Sequence, residues 1–308
     1  MKRFVALCLA LSLLLCGCGA APEEHTIFCM DTVMDFKIWG KDAYEACMKL
    51  GVELQGLEYR WSAHSEHSIL AELNKGKELG FGPESSEVFD RIEEIRQLTG
   101  GAFNPQMKSL CEAWGFYDEQ HRIPTREESE AALADPKWDL GGALKGYAGQ
   151  KCVELLEDLK IDRALLNLGG NVQTYGEKPD GTPWQVGIQN PDGGNYVGIV
   201  SVTGTMAVVT SGDYQRYFEK DGIRYHHILD TETGYPADSG LRSVTVICED
   251  GLTADCFSTA LFVMGLEKAS EFWRESNDFE AVFITEDGSI FATEGANLSG
   301  CQFEVITR

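Results

Sequence analysis

Apolar residues recur at helical spacing in some segments of the chain and alternate with polar residues in others, and these two patterns predict its elements. In the first half, His25 to Gly40 alternates as one strand, and Lys41 to Leu57 has the spacing of a helix. Further helices are predicted at three places: a short one ending at Asn74, one over Glu87 to Leu98 and one over Thr125 to Ala134. Another is predicted to run from the segment Trp138 to Ala148 as far as about Leu159.

The second half is rich in predicted strands, which Gly, Asp and Asn turns separate. The strand segments are Ala164 to Leu168, Trp184 to Gln189, Gly198 to Val202, Met206 to Thr210, Arg224 to Leu229, Leu241 to Cys248, Glu280 to Thr285, Ser289 to Ala292 and Gln302 to Ile306. Two helices, Leu252 to Gly265 and Leu266 to Ser276, interrupt the series. Since no repeat or linker is present, the pattern predicts one α+β domain of antiparallel sheet with helices packed on it.

The helix predicted over Leu252 to Gly265 carries candidate metal chemistry. Thr253 is predicted as its N-cap, which places Asp255 in the first turn, where a negative charge suits the helix dipole. Asp255, Ser258 and Thr259 are spaced i, i+3 and i+4, so their oxygens share one face. Oxygen ligands of this kind suit Mg²⁺ or Ca²⁺. An ordinary capped helix has the same pattern, so this segment alone leaves both interpretations open.

Three glycine-rich turns lie at Gly100 to Pro105, Asp139 to Tyr147 and Asn167 to Asn171. Glycine lets a ligand approach backbone N–H groups, and a helix N-terminus behind them favours phosphate. Lys145 lies in the second turn and can bind phosphate as a point charge. Neither G-x-G-x-x-G nor G-x-x-x-x-G-K-[ST] occurs, so a Rossmann or P-loop site is not supported. Each turn alone has a purely structural explanation, but three beside a candidate metal helix favour a nucleotide-like ligand.

The segment His226-His227-Ile228-Leu229-Asp230 is a second candidate for chemistry. In an acidic protein, a histidine near carboxylates is expected to keep its proton to higher pH, which suits a general acid or base. A surface histidine beside one that bonds the turn backbone is the alternative.

The net charge of −23 on 308 residues, with a pI near 4.6, limits which ligands the protein is expected to bind. So acidic a protein is not expected to bind nucleic acid non-specifically. A polyanionic ligand would need a local cation, which a metal ion or a lysine could supply.

The N-terminus has the pattern of an export signal, with basic Lys2 and Arg3 before the apolar run Phe4 to Leu15. The sequence Leu-Cys-Gly-Cys that ends at Cys18 resembles a bacterial lipobox, in which this cysteine is lipidated and becomes the first residue. A non-lipidated signal cleaved nearby is the alternative. We therefore expect an extracytoplasmic protein that a lipid anchors to the bacterial cell membrane. The expected parts are a signal peptide at 1–17, Cys18 with a tether at 18–25, and the domain at 26–308.

Seven cysteines would remain after the signal and Cys18, and they are widely spaced with no C-x-x-C pair. A disulfide framework or a zinc site is therefore not expected. Several, such as Cys152 and Cys248, lie in apolar runs and are expected to be small core residues.

The order of motifs along the chain resembles the ApbE family of FAD:protein FMN transferases. The motifs are MDT at 30–32, SAHSEHSILAELN at 62–74, GGAFNP, WGF, DLGGALKGYA, NLGGN, WQVGIQNP at 184–191, VTSGDYQRYF at 209–218, HHILDTETGYP and LTADCFSTALFVMG. No single motif is decisive, but together they cover nearly the whole mature chain in the family's order.

This resemblance implies an α+β enzyme that takes FAD as substrate and uses a divalent metal, usually Mg²⁺. Members move FMN onto a Ser or Thr hydroxyl of a partner protein and release AMP. The resemblance implies His227 as the base that acts on the acceptor hydroxyl. The implied metal ligands are Asp255, Ser258, Thr259 and the backbone oxygen of Gly142. The implied FAD contacts are Met30, His64, Ala102, Phe103, Asn104, Asp139, Lys145 and Leu229.

Two positions depart from the family pattern. Asn104 stands where many members have Asp, so a charge near the flavin is lost, although hydrogen bonding can survive. His64 stands where Tyr or Trp is common, which weakens stacking on the ligand.

The chain has no acceptor-like stretch of the form S/T-G-A-[ST], so it is expected to modify another protein. The implied partners are redox-pump or electron-transfer subunits that carry a flavinylation motif. Two alternatives remain: a metal-dependent FAD pyrophosphatase that yields FMN and AMP, and a non-enzymatic flavin-binding lipoprotein.

Overall fold

A computed structural model describes residues 21–77, 82–118, 120–276 and 278–308. Within these residues the chain forms one α+β domain with a largely antiparallel sheet, so the predicted fold class is confirmed. The expected signal peptide, the lipidation site Cys18 and the start of the tether lie outside the described residues.

Seven helices are described. They are α1 (Ala43–Trp61), α2 (Ile69–Asn74), α3 (Pro83–Leu98), α4 (Lys108–Trp114), α5 (Arg126–Leu133), α6 (Leu144–Asp158) and α7 (Gly251–Glu275). Helix α7 is interrupted at Gly265, whose φ of 76° and ψ of 167° are not helical, so its two halves correspond to the two helices predicted there.

Fourteen strands are described. They are β1 (Glu23–Cys29), β2 (Thr32–Trp39), β3 (Arg163–Leu168), β4 (Asn171–Tyr175), β5 (Trp184–Gln189), β6 (Tyr196–Val202), β7 (Ala207–Gly212), β8 (Tyr217–Lys220), β9 (Ile223–His226), β10 (Leu241–Cys248), β11 (Glu280–Thr285), β12 (Ile290–Thr293), β13 (Leu298–Ser299) and β14 (Glu304–Ile306). The predicted bounds of β5, β10 and β11 are the observed ones.

The central sheet has nine strands in the order β1-β2-β3-β4-β7-β10-β11-β12-β14. Its pairs are antiparallel except β12 with β14. A small sheet of order β13-β6-β5 and the hairpin β8-β9 complete the described sheet structure. Thus β5, with β6 on one side, is an edge strand of the small sheet.

Helices α1, α6 and α7 cover one face of the central sheet. The main hydrophobic core lies between them and includes Phe36 of β2, Leu50 and Leu54 of α1, and Phe262 of α7, all at most 1% exposed. The small sheet covers part of the opposite face through a second core, where Val186 and Val200 contact strands β7, β10, β11 and β12. On β1 and β2 this opposite face is exposed, and a cavity described below occupies that region.

The single strand predicted over His25 to Gly40 is wrong, because this segment folds back on itself as the hairpin β1-β2. Its turn residues Met30 and Asp31 have φ of 52° and 57°, the backbone of a two-residue type I′ turn. Glycine and asparagine usually mark such turns, and neither is present here. The Met30 N–H donates to Glu58 Oε1 of α1 at 2.9 Å, so tertiary contact holds the strained turn.

Other differences arise at short polar elements. Strands β4, β8 and β13 and helix α4 were not predicted, because their sequences are short and have little apolar periodicity. The strand predicted over Arg224 to Leu229 ends at His226, so His227 and Leu229 leave the sheet and line a cavity instead. Helix α1 continues beyond Leu57 to Trp61.

Among the described residues, none of the helices combines the length and apolar character that a bilayer-spanning helix requires.

Candidate active site

A cavity of about 650 Å³ lies where the β1-β2 turn, the glycine-rich turns and the first half of α7 meet. It brings together twelve of the thirteen residues expected in the site. They are Met30, His64, Ala102, Phe103, Asn104, Asp139, Gly142, Lys145, His227, Leu229, Asp255 and Thr259. The thirteenth, Ser258, is fully buried one layer behind the wall.

The start of helix α7 differs from the prediction. Asp250, and not Thr253, is the N-cap, since its carboxylate accepts the Thr253 N–H at 2.7 Å. The helix begins at Gly251, so Asp255 lies in the second turn and the macrodipole of α7 acts on it less than predicted.

The N-terminus of α6 supplies the dipole that α7 does not. The N–H of Gly146, in the first turn of α6, donates to Asp255 Oδ2 at 2.8 Å. Such N–H groups have no partner within their own helix, so Asp255 caps α6 from another element. This contact joins the glycine-rich turn to the candidate metal helix.

Two glycines permit this close approach of α6 and α7. A Cβ on Gly146 would lie 2.1 Å from the Gly251 carbonyl oxygen and 2.6 Å from Asp255 Cβ. A Cβ on Gly251 would lie 2.5 Å from the Gly146 oxygen. A Cβ on Gly142 would lie 3.4 Å from Thr259 Oγ1, so the turn backbone also borders that hydroxyl.

Hydroxyl groups surround Asp255 on the side of β7. The Ser211 hydroxyl lies 2.7 Å from Ser258 Oγ and 3.2 Å from Thr259 Oγ1, and Ser258 Oγ also donates to the Asp255 carbonyl at 2.8 Å. Ser211 thus contacts both hydroxyls and is positioned to orient Thr259, while Ser258 bonds within α7. Ser211 was not predicted as a site residue, although it lies in the VTSGDYQRYF motif.

This set of donors fits Mg²⁺. Burial raises the pKa of Asp255, and the nearby Lys145 ammonium and the Gly146 N–H oppose this shift. A buried carboxylate that remains ionised gains from a cation. No group of three His, Cys, Asp or Glu side chains comes together as a metal site in the described chain. One carboxylate with hydroxyl and carbonyl oxygens is the arrangement of a Mg²⁺ ion that keeps waters and substrate phosphate oxygens.

Basic side chains border the cavity at two places, beside the β1-β2 turn and beside Asp255. The guanidinium of Arg216 is 4.0 Å from Asp31 Oδ2, and His64 Nε2 is 3.7 Å from the same oxygen. Lys145 borders the cavity near Asp255. Lys145 and Arg216 therefore provide local positive charge in a protein of net charge −23.

The neutral state of His227 follows from its surroundings. The ring is only partly accessible from the cavity, and burial together with the Arg216 guanidinium lowers the pKa of His227 to about 3. The expectation that it keeps its proton to higher pH is therefore wrong, because burial and the neighbouring Arg216 and Lys145 cations disfavour the charged ring. Nδ1 lies 3.1 Å from the Arg216 carbonyl, which as an acceptor fixes the proton on Nδ1. Nε2 is then free to accept a proton.

Aromatic and polar side chains line another part of the cavity wall. The ring of His64 meets Tyr117 edge to face with centroids 4.6 Å apart, and the Tyr117 hydroxyl donates to Asp139 Oδ2. Burial and then the neighbouring Cys111 and Asp139 raise the pKa of Tyr117, so it stays a donor. Asn104 Oδ1 accepts the Gln106 N–H at 2.9 Å and shapes its own turn. Tyr117, which directly follows the WGF motif, was not predicted as a site residue.

The chain is similar in sequence and in fold to known proteins. The model of the ApbE family matches residues 30–283. A curated FAD:protein FMN transferase of Klebsiella pneumoniae is 36% identical over 240 residues, which cover 70% of this chain and 74% of the relative. A second FAD:protein FMN transferase, from Treponema pallidum, is 29% identical in an alignment that covers 94% of this chain and 92% of that relative. The crystal structure of an ApbE protein from Thermotoga maritima has a TM-score of 0.83 at 31% identity, covering 89% of this chain and 97% of that one.

Proposed function

This chain belongs to the ApbE family, and from that premise we propose that it is an FAD:protein FMN transferase. In this reaction the FMN half of FAD is joined through its phosphate to a Ser or Thr hydroxyl of a partner protein. AMP is the leaving group, and Mg²⁺ is the metal. The observation that carries the proposal is the convergence of Asp255, Thr259, Lys145 and a neutral His227 on one cavity.

The bonds of the transfer balance without a further reactant. The acceptor hydroxyl oxygen attacks the phosphorus of the FMN phosphate, and the bond from that phosphorus to the bridging oxygen of AMP breaks. The hydroxyl proton passes to Nε2 of His227. AMP leaves as a phosphate monoester that needs no added proton.

Binding of FAD would adjust His227 for this role. A base with a pKa of about 3 is weak in the free protein. The pyrophosphate of FAD brings negative charge next to Arg216 and Lys145, both of which lower the pKa of His227. Neutralising these cations raises the basicity of His227 when substrate is present.

The candidate metal ligands are Asp255, Thr259 and the Gly142 carbonyl, while Ser211 and Ser258 hold the hydroxyl and helix in place. Mg²⁺ bound there would neutralise the pyrophosphate and stabilise the charge that develops on departing AMP. Lys145 contributes a fixed positive charge beside it. Asp139, oriented by Tyr117, is suited to accept hydrogen bonds from the flavin or ribose.

The test is one incubation of a soluble form starting at residue 21 with FAD, Mg²⁺ and an acceptor domain that carries a Ser/Thr flavinylation motif. A fluorescent acceptor band on a denaturing gel, absent with chelator, is expected. Asp255→Ala should abolish the band, while Asp90→Ala, on the exposed surface of α3, should not. Free FMN and AMP without a band would identify a pyrophosphatase, and bound FAD without AMP would identify a flavin-binding protein.

The location is a separate part of the proposal. The lipobox-like sequence supports a lipid anchor at Cys18 outside the cytoplasm, where redox-pump or electron-transfer subunits would be accessible as acceptors. Cys18→Ala should move the protein from the membrane fraction to the soluble fraction and remove incorporation of labelled palmitate. Unchanged fractionation and labelling would exclude the anchor.

A further inference from the structure

A second cavity of about 1010 Å³ continues from the candidate active site along the exposed face of β1 to β4. Asp35 and Lys37 of β2 and Asn167 of β3 line its floor. The two cavities share six lining residues, so they open into each other. The shared residues are Met30, Asp31, Lys145, Thr210, Gln215 and Arg216.

One wall of this groove is the free edge of β5. Within the part of the chain that the structure describes, β5 pairs only with β6, and β6 pairs on its other side with β13. The N–H of Ser201 donates to the Asn297 carbonyl at 3.2 Å, so Ser201 directs its backbone groups away from β5. Its partner Gln185 then directs its own N–H and C=O away from β6, because the groups of a non-hydrogen-bonded antiparallel pair point outward.

By the same alternation, the N–H and C=O of Gly187, which pairs with Ile199, also point away from β6. Gly187 lines the groove, and the ring of Tyr196 lies against one face of it, 2.5 Å from where a Cβ would be, while its N–H and carbonyl stay directed along the sheet edge. Gln185 and Gly187 together offer two outward N–H groups and two outward carbonyls. Exposed edges of this kind are templates for an added strand.

Beside the groove, the exposed sheet face carries an apolar pair. Phe28 of β1 and Val33 of β2 lie opposite each other in register and are 70% and 53% exposed. They flank the Met30-Asp31 turn that borders both cavities. An exposed aromatic and an aliphatic side chain next to a site opening favour contact with another protein.

We propose that this groove receives the acceptor polypeptide as an extended segment that pairs with the free edge of β5. The segment leads its Ser or Thr hydroxyl past Lys145 and Arg216 into the active site, while Phe28 and Val33 contact the body of the acceptor. The inference rests on the proposed function, since transfer to a protein requires a route for a second polypeptide. Main-chain pairing supplies affinity that depends little on the acceptor's sequence.

Two matched pairs of variants test this surface. Gln185→Pro removes an outward N–H without removing a bond to β6, and Gln185→Val keeps that N–H while replacing the same side chain. Val33→Lys adds a charge to the apolar pair, and Val305→Lys makes the same change on β14 at the far end of the central sheet, where Val305 is 56% exposed.

Metal-dependent transfer to a soluble acceptor domain of a redox-pump subunit is measured at varied acceptor concentration, and FAD affinity by quenching of flavin fluorescence. For Gln185→Pro and Val33→Lys we expect KM for the acceptor to rise about tenfold, as loss of roughly one backbone hydrogen bond or one apolar contact requires. FAD affinity should stay within about twofold, Val305→Lys should behave as wild type, and Gln185→Val, which keeps the N–H, should raise the acceptor KM clearly less than Gln185→Pro does.

Three results would overturn the inference. Equal acceptor KM for wild type, Gln185→Pro and Val33→Lys would exclude docking in the groove. Weaker FAD binding by Gln185→Pro than by Gln185→Val would mean that the groove holds part of FAD. Loss of a dimer in Val33→Lys, with acceptor KM unchanged, would make the surface an interface between copies. If the wild type transfers no FMN to the acceptor domain, the proposed function itself fails, a result distinct from these three.

Discussion

Replacement of Gly146 by alanine tests how the two halves of the active site are held together. Its Cβ would be 2.1 Å from the Gly251 carbonyl oxygen, where ordinary contact requires at least 3.4 Å. The Gly251 oxygen belongs to the backbone and the backbone also fixes the position of the Cβ, so neither atom can rotate away. Helices α6 and α7 must therefore separate by more than 1 Å, and the bond from Gly146 N–H to Asp255 must lengthen or break.

The expected loss of stability has two parts. Overpacking of a close-packed contact costs roughly 1–3 kcal/mol. Weakening a hydrogen bond to a charged group costs about 1.5–3 kcal/mol. Together they give roughly 2.5–6 kcal/mol, which for a domain of this size lowers Tm by roughly 4–10 °C.

The assay combines thermal unfolding with metal-dependent FMN transfer at a temperature where the variant is folded. We expect transfer to fall at least about tenfold, because a shift of about 1 Å in catalytic groups costs that much or more. Gly56→Ala in helix α1 is the control, since a Cβ there meets nothing within 4 Å and should stabilise the helix by up to about 1 kcal/mol. Wild-type Tm and activity in Gly146→Ala would refute the packing argument.

Three further outcomes are expected. Asp255→Asn should abolish the rise in Tm that Mg²⁺ gives the wild type. Without Mg²⁺, in chelator, the Tm of the variant should equal or exceed that of the wild type, because burial of the charged carboxylate is unfavourable without a cation. A Tm of the variant that still rises with Mg²⁺ would exclude Asp255 as a metal ligand. The pKa of His227 is lower in the folded state, about 3, than the ordinary histidine value near 6.5, so the folded protein loses stability relative to the unfolded chain as pH falls from about 6.5 toward 3. His227→Gln removes this loss, so its Tm relative to that of the wild type should rise between pH 7 and pH 5. The Tm of the exposed control His67→Gln relative to the wild type should not change over this range. Of the seven described cysteines only Cys111 and Cys301 are partly exposed, and burial raises the pKa of a buried one, Cys29, to about 12. A thiol reagent should therefore modify at most these two in the native protein and all seven in denaturant. Rapid modification of more than two in the native protein would contradict the burial of the others.

The prediction of secondary structure was most accurate where a long segment has a regular apolar pattern. Leu241 to Cys248 is apolar and β-branched along its whole length, and it is strand β10 with these bounds. The hairpin turn at Met30 and Asp31 was missed because nothing in its local sequence favours positive φ. Glu58, which accepts the Met30 N–H, lies on another element, and a contact of this kind cannot be read from sequence periodicity.

The candidate site shows the same division between local and tertiary information. Helical spacing placed Asp255 and Thr259 on one face, and both border the cavity. Ser211 and Tyr117 escaped prediction because their roles arise from neighbours far along the chain, Thr259 and Asp139. The protonation state of His227 was predicted in the wrong direction, since overall negative charge says nothing about the Arg216 guanidinium beside the ring.

The pairing of β2 with β3 joins Trp39 to Arg163, and the active site needs further segments as late as Thr259. Closing such long loops makes folding slow, because their entropy is lost before the contacts between their ends are gained. A chain that ends before Gly251 has the three glycine-rich turns and Ser211 but neither Asp255 nor Thr259. The candidate site can therefore be complete only when the fold is almost complete, so a partly synthesised chain is expected to bind neither Mg²⁺ nor FAD there.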